Sequence, residues 1–481
     1  MTIPRGPMNP SRFAVFAGVL LTALLLPLIP GCDSGSDEEN AGDGSKKPAT
    51  GEKGEGTSGR VSSQTPISTS ILFADVTRRT AIDFTYRNGQ EAGNFAIIES
   101  LGGGAGLFDY DSDGDIDIVV PGGGNFPAEK TIDGLATALF RNEGGFSFSE
   151  QSSTAAIDTP GFYSHGIAVT DFDNDGFPDF LVTGYGGLKL YHNMGDGTFE
   201  ESAQESGLTD SQWSSSAAFA DFNGDGHSDL YVAHYVNWSF DNHPPCMAGD
   251  KKEVCPPRSF DPLPDTLYLS NGDGSFRDAS RDWGLSLKGK GLGVVAGDLD
   301  LNGTIEVYVG NDTVPNLLYR NKGTTFEDTS LMSGTSLSEG GSADGSMGVD
   351  LGDFNSDGLP DLWVANYESE SFALYRNDGD CLFQPVSSSM GVTAVGGLFV
   401  GWGAVFLDPD SDGDLDAALV GLNLDGPAES SGAIWLNDGE GTFTESETKL
   451  PGQFPWDLVF AYKPKWLSVI PRGPPSGPMS T

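Results

Sequence analysis

The sequence predicts an all-β fold, a propeller of four-stranded blades, on three observations. An acidic motif recurs six times between short apolar runs, starting at Asp109, Asp171, Asp221, Asp298, Asp353 and Asp408. An aromatic strand ending in an Asn-Gly-type turn follows each copy, as in "LYHNMGDGTF" and "LYRNDGDCLF". No segment carries a helical stripe, whereas runs such as "DLYVAHY" alternate with period two. Short strands recurring at such intervals fit propeller blades better than a sandwich, whose strands carry no such repeat.

The elements follow in chain order. Residues 1–32 read as a lipoprotein-type signal peptide: Arg5 and Arg12 precede "FAVFAGVLLTALLLPLIP", which ends at "GC". "LIPGC" resembles a bacterial lipobox, with Cys32 as the lipidated residue. An uncleaved anchor is the rival reading, and Pro27 and Pro30 speak against it. Either reading places the rest of the chain outside the cytoplasm, and the lipobox reading makes it a bacterial membrane-anchored lipoprotein, periplasmic or at the cell surface. Residues 33–68 are rich in Gly, Ser and charge and form a disordered tether. Residues 69–450 hold the repeats, and 451–481 form an atypical Pro-rich C-terminal segment.

Each unit reads as strand, acidic loop, strand, short loop, strand, tight hairpin, strand. The acidic loops share the pattern D-x-[DN]-x-[DN]-G-x-x-[DE]. Side-chain oxygens at positions 1, 3, 5 and 9 converge when a turn follows position 5, and glycine at position 6 permits that turn. Hard oxygen donors of this kind suit Ca²⁺ rather than zinc or copper. The expected side-chain ligands are Asp109, Asp111, Asp113 and Asp117; Asp171, Asp173, Asp175 and Asp179; and Asp221, Asn223, Asp225 and Asp229. In the later repeats they are Asp298, Asp300, Asn302 and Glu306; Asp353, Asn355, Asp357 and Asp361; and Asp408, Asp410, Asp412 and Asp416. Position 7 offers a backbone carbonyl, from Asp115, Phe177, His227, Thr304, Leu359 and Asp414. Up to six Ca²⁺ are thus expected, with the fourth loop the most divergent.

An EF-hand needs a bidentate Glu at position 12 between helices. Here position 12 is Val120, Val182, Val232, Val309, Val364 or Leu419, each inside the next strand. Plain Asx turns account for one copy but not for six in register.

The formal net charge of −43 excludes nucleic acid as a partner, because phosphates demand a basic face. Among the cysteines beyond Cys32, Cys246 and Cys255 stand in one Pro-rich loop and are expected to form a local disulfide. Cys381 is left over as a buried small hydrophobe. His165 reads as a strand residue near the central channel. The long insertion "HYVNWSFDNHPPCMAGDKKEVCPPRSFDP" carries Tyr235, Trp238 and Phe240, for which packing over the blade is the expectation and ligand contact the alternative.

The loops and their flanking strands resemble FG-GAP/VCBS repeats. Residues 71–450 resemble the bacterial relatives of the cartilage acidic protein (ASPIC/UnbV) family. The matching pieces are "LFADVTRRTAIDFTYRNGQEAG", "ESLGGGAGLFDYDSDGDID", the "LYRN-GDGTF" hairpins and "C…VCPPRSF…DTLYLSNGDGSF". The resemblance implies a calcium-binding, secreted or surface propeller used for binding, with seven blades most expected and six the alternative. "ILFADVT" looks like the outer strand of a blade closed by the C-terminus. The seventh acidic loop is missing, so 451–481 reads as a degenerate or truncated last blade, a frameshift being one origin.

The function expected is a lipid-anchored, monomeric protein- or glycan-binding module without catalytic residues. A polysaccharide lyase or hydrolase is the alternative. Lyase chemistry needs a basic residue facing the channel, and Lys and Arg are scarce in the repeats.

Overall fold

A computed structural model of the chain describes residues 76–367, 370–392, 399–423, 430–446, 460–463 and 466–469. The signal segment with Cys32, the tether, "ILFAD" and most of 451–481 lie outside the described residues.

The six repeats form six four-stranded antiparallel sheets, each a meander in which a strand pairs with the next one of its blade. Blade 1 comprises Gly106–Phe108, Asp117–Val120, Ala138–Asn142 and Phe148–Glu150. Blade 2 comprises Tyr163–Thr170, Asp179–Tyr185, Gly187–Asn193 and Phe199–Glu201. Blade 3 comprises Ser214–Ala220, Asp229–His234, Thr266–Ser270 and Phe276–Asp278. Blade 4 comprises Gly291–Gly297, Glu306–Asn311, Leu317–Asn321 and Phe326–Asp328. Blade 5 comprises Val349–Gly352, Asp361–Val364, Ala373–Asn377 and Phe383–Pro385. Blade 6 comprises Phe399–Leu407, Asp416–Asn423, Ser430–Asn437 and Phe443–Glu445. The described residues therefore make six blades, the smaller of the two expected counts. In the C-terminal segment they hold one hairpin, Phe460–Lys463 paired with Trp466–Val469.

The first strand of each blade is innermost and packs on that of the next blade. Crowding at the axis explains its composition. Ser214–Ala220, "SSSAAFA", is buried throughout and uses mostly small side chains. A Cβ at Gly293 would lie 2.3 Å from the Met347 carbonyl oxygen, and one at Gly348 2.4 Å from that of Trp402. The core lies between blade faces: Val295, Tyr308 and Leu318 of blade 4 pack with Leu362, Val364 and Tyr375 of blade 5. Outermost strands have three residues each and end in exposed side chains, as in "FEE" and "FED". Short, charged edges of this kind discourage strand addition.

Both ends of the ring meet the same axial cavity of about 130 Å³, lined by Gly102 and Gly104 ahead of blade 1 and by Trp402 and Gly403 of blade 6.

Candidate metal centres

In every blade the acidic loop joins the first strand to the second, so all six loops have equivalent places in the ring. Their backbones are alike. Position 6 is a glycine with φ between 90° and 100°, from Gly114 to Gly413. Position 4 is also left-handed, in Ser112, Asn174, Gly224, Leu301, Ser356 and Ser411. That second inversion is hidden in the sequence because only one of the six residues there is glycine. Leu301 bears its cost most plainly, being a γ-branched apolar residue at φ 56° and 58% exposed.

Hydrogen bonds within the loop pre-set its carboxylates. The position 1 aspartate accepts the backbone N–H groups of positions 5 and 6 in all six loops, at 2.9–3.0 Å for Asp109. Position 5 accepts from the N–H of position 7, as Asp113 does from Asp115 at 2.9 Å and Asn302 from Thr304 at 2.7 Å. In the first two loops, carboxylate oxygens of Asp109, Asp111 and Asp117, and of Asp171, Asp173 and Asp179, lie within 4.8 Å of one another. Positions 1, 3 and 5 (Asp408, Asp410 and Asp412) converge in the same way in the sixth. Such closely set oxygens fit a hard divalent cation, which turns their mutual repulsion into cohesion.

Position 9 has a structural task as well. Asp117 lies fully buried at the start of the second strand and accepts from Tyr110 N–H at 3.1 Å and Asn142 N–H at 2.7 Å. Asp179, Asp229, Glu306 and Asp361 make the same pair of bonds, to position 2 and to the third strand. Each oxygen keeps a second lone pair for a cation. Burial pushes these acids up, to about 7 for Asp117, Asp229, Glu306 and Asp361 and about 8 for Asp179. The sixth loop departs from this pattern. Its position 2 is Pro409, which has no N–H. Asp416 keeps the bond from Asn437 N–H at 2.7 Å, and its other oxygen has no partner at 1% exposure.

Two further columns escaped the sequence reading. The third strand presents a basic side chain beside its loop in several blades. Arg141 pairs with Asp111 at 2.8 Å and Asp113 at 3.1 Å, His192 lies 3.0 Å from Asp173, and Arg320 pairs with Asp300. Arg376 instead pairs with Asp378 of its own hairpin. Leu269 and Leu436 fill that position in blades 3 and 6. The next residue is Asn in five blades. Asn193 Nδ2 donates to Pro178 O of its own loop and to Tyr110 O of the preceding blade's loop, at 3.1 and 2.9 Å. Asn321, Asn377 and Asn437 reach Phe222, Leu299 and Phe354 in the same way. These amides staple four of the six loops to the next blade. The signal was present as the "R/H-N" before four of the six hairpins, but its partner lies in the preceding repeat.

The opposite end of the ring is built differently. The Cys246–Cys255 disulfide is formed, and Cys255 is buried with Tyr86, Ile97, Tyr163, Trp213, Tyr235 and Trp238. The insertion's large rings thus pack over the blades. His165 is buried against Trp213; its Nδ1 faces Gly102 O at 3.1 Å, which assigns the proton to Nδ1. Burial drives its pKa down to about 4, so the ring is neutral. Back at the loop end, Cys381 is a free, buried thiol whose sulfur lies within 4.8 Å of carboxylate oxygens of Asp300 and Glu306 in the fourth loop.

A model described as FG-GAP-like repeat matches residues 109–182, 171–232, 298–364 and 353–419. Cartilage acidic protein 1 of Mus musculus is 27% identical over 283 residues, covering 55% of this chain and 40% of that protein. Its Homo sapiens counterpart is 26% identical over 285 residues, covering 55% and 39%. The chain thus spans about two-fifths of the length of these relatives. Among solved structures, an Agrocybe aegerita lectin specific for non-reducing terminal N-acetylglucosamine aligns at TM-score 0.38 and 17% identity, covering 71% of this chain and 79% of the lectin. The matched repeats take in half of the sequence and coincide with the loops and strands described above: the chain belongs to the FG-GAP-like repeat family.

Proposed function

We propose that this propeller is a calcium-stabilised binding module, held outside the cytoplasm by a lipid anchor at Cys32, whose ligand is a protein or a glycan. The observation that carries the reading is the six-fold recurrence of one loop conformation, with oxygen side chains held inward by their own backbone. Ca²⁺ supplies the positive charge that these carboxylates lack, and positions 1, 3, 5 and 9 with the position 7 carbonyl would hold it. The cation then acts as structural cement, and binding falls to surfaces that the ring presents.

What favours binding over lyase chemistry is the character of the axial cavity. Its lining includes His165, Ser216, Leu292, Met347 and Trp402, and among the described residues it presents no Lys or Arg to neutralise a uronate. The test is elemental analysis of the purified chain, followed by glycan-array and pull-down measurements in calcium. Bound calcium with saturable capture of a glycan or protein is expected. Absence of calcium, or turnover of acidic polysaccharides, overturns the proposal.

A further inference from the structure

The six loops are alike in backbone but unequal in charge. In loops 1, 2 and 4 a side chain from the third strand already sits on the cage: Arg141 on Asp111 and Asp113, His192 on Asp173, and Arg320 on Asp300. A cation entering there must displace that group or share its carboxylates. Loop 3 has no such neighbour, since Leu269 stands in the column, but Asn223 replaces one aspartate. Each oxygen of Asp229 there already accepts one N–H, from Phe222 at 3.0 Å and Ser270 at 2.8 Å, and has only one lone pair left for a cation. Loop 5 likewise carries Asn355, and its Asp361 is doubly bonded.

Loop 6 combines three features that no other loop has together. It carries four aspartates, Asp408, Asp410, Asp412 and Asp416. Leu436 occupies the column where blades 1, 4 and 5 place arginine, in the same register: Leu436 faces Thr444 as Arg141 faces Ser149. Pro409 removes the N–H that engages the position 9 carboxylate in the other five loops. One Asp416 oxygen is therefore buried, without a partner, beside the other three acids, whose charges act on it. A buried carboxylate oxygen left in this state is costly, on the scale of a lost charged hydrogen bond. A divalent cation is the group that removes the cost and balances the neighbouring charges at once.

We infer that the sixth loop is the tightest divalent-cation site of the ring, filled at the lowest calcium concentration, with loops 1, 2 and 4 filling last. This rests on the reading of the loops as calcium sites. Pro409 and Leu436 set the difference, one by freeing an acceptor and the other by withholding a competitor.

The test is calcium titration of the chelator-stripped full chain by calorimetry, using Ca²⁺ alone as the probe. The wild type should show one tight site ahead of a weaker class. Pro409→Ala, which restores the N–H, should weaken the tight site about tenfold, the scale of one charged hydrogen bond. Leu436→Arg should abolish it. Arg141→Leu should tighten one weak site to about the level left by Pro409→Ala, because Tyr110 N–H still engages Asp117, and this is a gain that a misfolded variant cannot produce. A tight site unmoved by both Pro409→Ala and Leu436→Arg overturns the inference, as does uniform binding to all loops. In both cases the calcium reading itself stands. A wild-type chain that takes up no calcium overturns that reading along with the inference.

Discussion

The two ends of this propeller are held together by opposite means. The loop end is acidic and six times repeated, and only some of its carboxylates have a basic partner, Arg141 on Asp111, His192 on Asp173 and Arg320 on Asp300. The cap end is unrepeated and dominated by aromatic packing: Trp213, Tyr235 and Trp238 interlock within 5.0–6.2 Å, one disulfide closes the insertion, and Asp210 is paired there with His234. One ring can thus have a face whose cohesion depends chiefly on bound cations and another whose cohesion rests chiefly on packing.

The largest effect should come from chelation, and it should touch only the loop end. Six cations each held at a hundred times their dissociation constant contribute on the order of 10 kcal/mol together, so excess chelator should lower the melting temperature by about 10 °C or more. pH sharpens this. Without a cation, the position 9 acids keep protons in the folded state up to about pH 7 or 8, mainly because they are buried, whereas unfolded carboxylates release them near pH 4. The folded state then binds more protons, so stability falls as pH rises through that window. Chelated protein should melt lower at pH 8.5 than at pH 6, and calcium should narrow the gap. A chelated chain more stable at pH 8.5 would break the comparison.

At the cap end, Trp213→Ala should cost about 3–5 kcal/mol, because it empties the space between His165, Tyr185 and Tyr235. The same loss should appear in calcium and in chelator, measured by denaturant unfolding. A loss seen only in chelator would mean that the two ends are coupled.

Reduction of Cys246–Cys255 should cost less, about 2–3 kcal/mol, since the closed loop is short, with a sequence separation of 9. Thermal melts with and without reductant check this, and the shift should again be insensitive to calcium.

The smallest effect concerns His234, buried between Asp210 Oδ2 at 2.7 Å and Pro264 O at 2.8 Å. Burial pulls its pKa down, but the hydrogen bond and charge of Asp210 outweigh it and the net shift is upward. Asp210 is pushed up by burial and drawn down further by His234. The imidazolium's contribution is therefore complete below the unfolded value of about 6.5 and is lost as pH rises through the folded pKa. The carboxylate's contribution is lost as pH falls through its own lowered pKa. Asp210→Asn should destabilise most near pH 5–6 and less at pH 9. A pH-independent cost would leave only packing at this site.

Much of the loop end was legible in the sequence, because strand alternation, the Asn-Gly turns and the D-x-[DN]-x-[DN]-G spacing are local patterns. The convergence of Asp109, Asp111 and Asp117 follows from spacing on one short turn. The double duty of position 9 was not legible, since its partners are backbone N–H groups that spacing does not display. The axial packing of His165 and the burial of Trp238 were expected in kind, though not in partner.

By itself, the sequence determined the blade, the loop and their repetition, because each is built within about fifty residues by period, turn chemistry and charge spacing. How the blades are joined, and what Pro409 does to Asp416, became visible in the assembled fold. Asn193, Asn321, Asn377 and Asn437 act on the preceding blade, and Asp416 loses a partner through Pro409, seven residues away. A hydrogen bond needs two groups in one place, and stacking each blade against its neighbour is what brings these amides to the loops of the preceding blade.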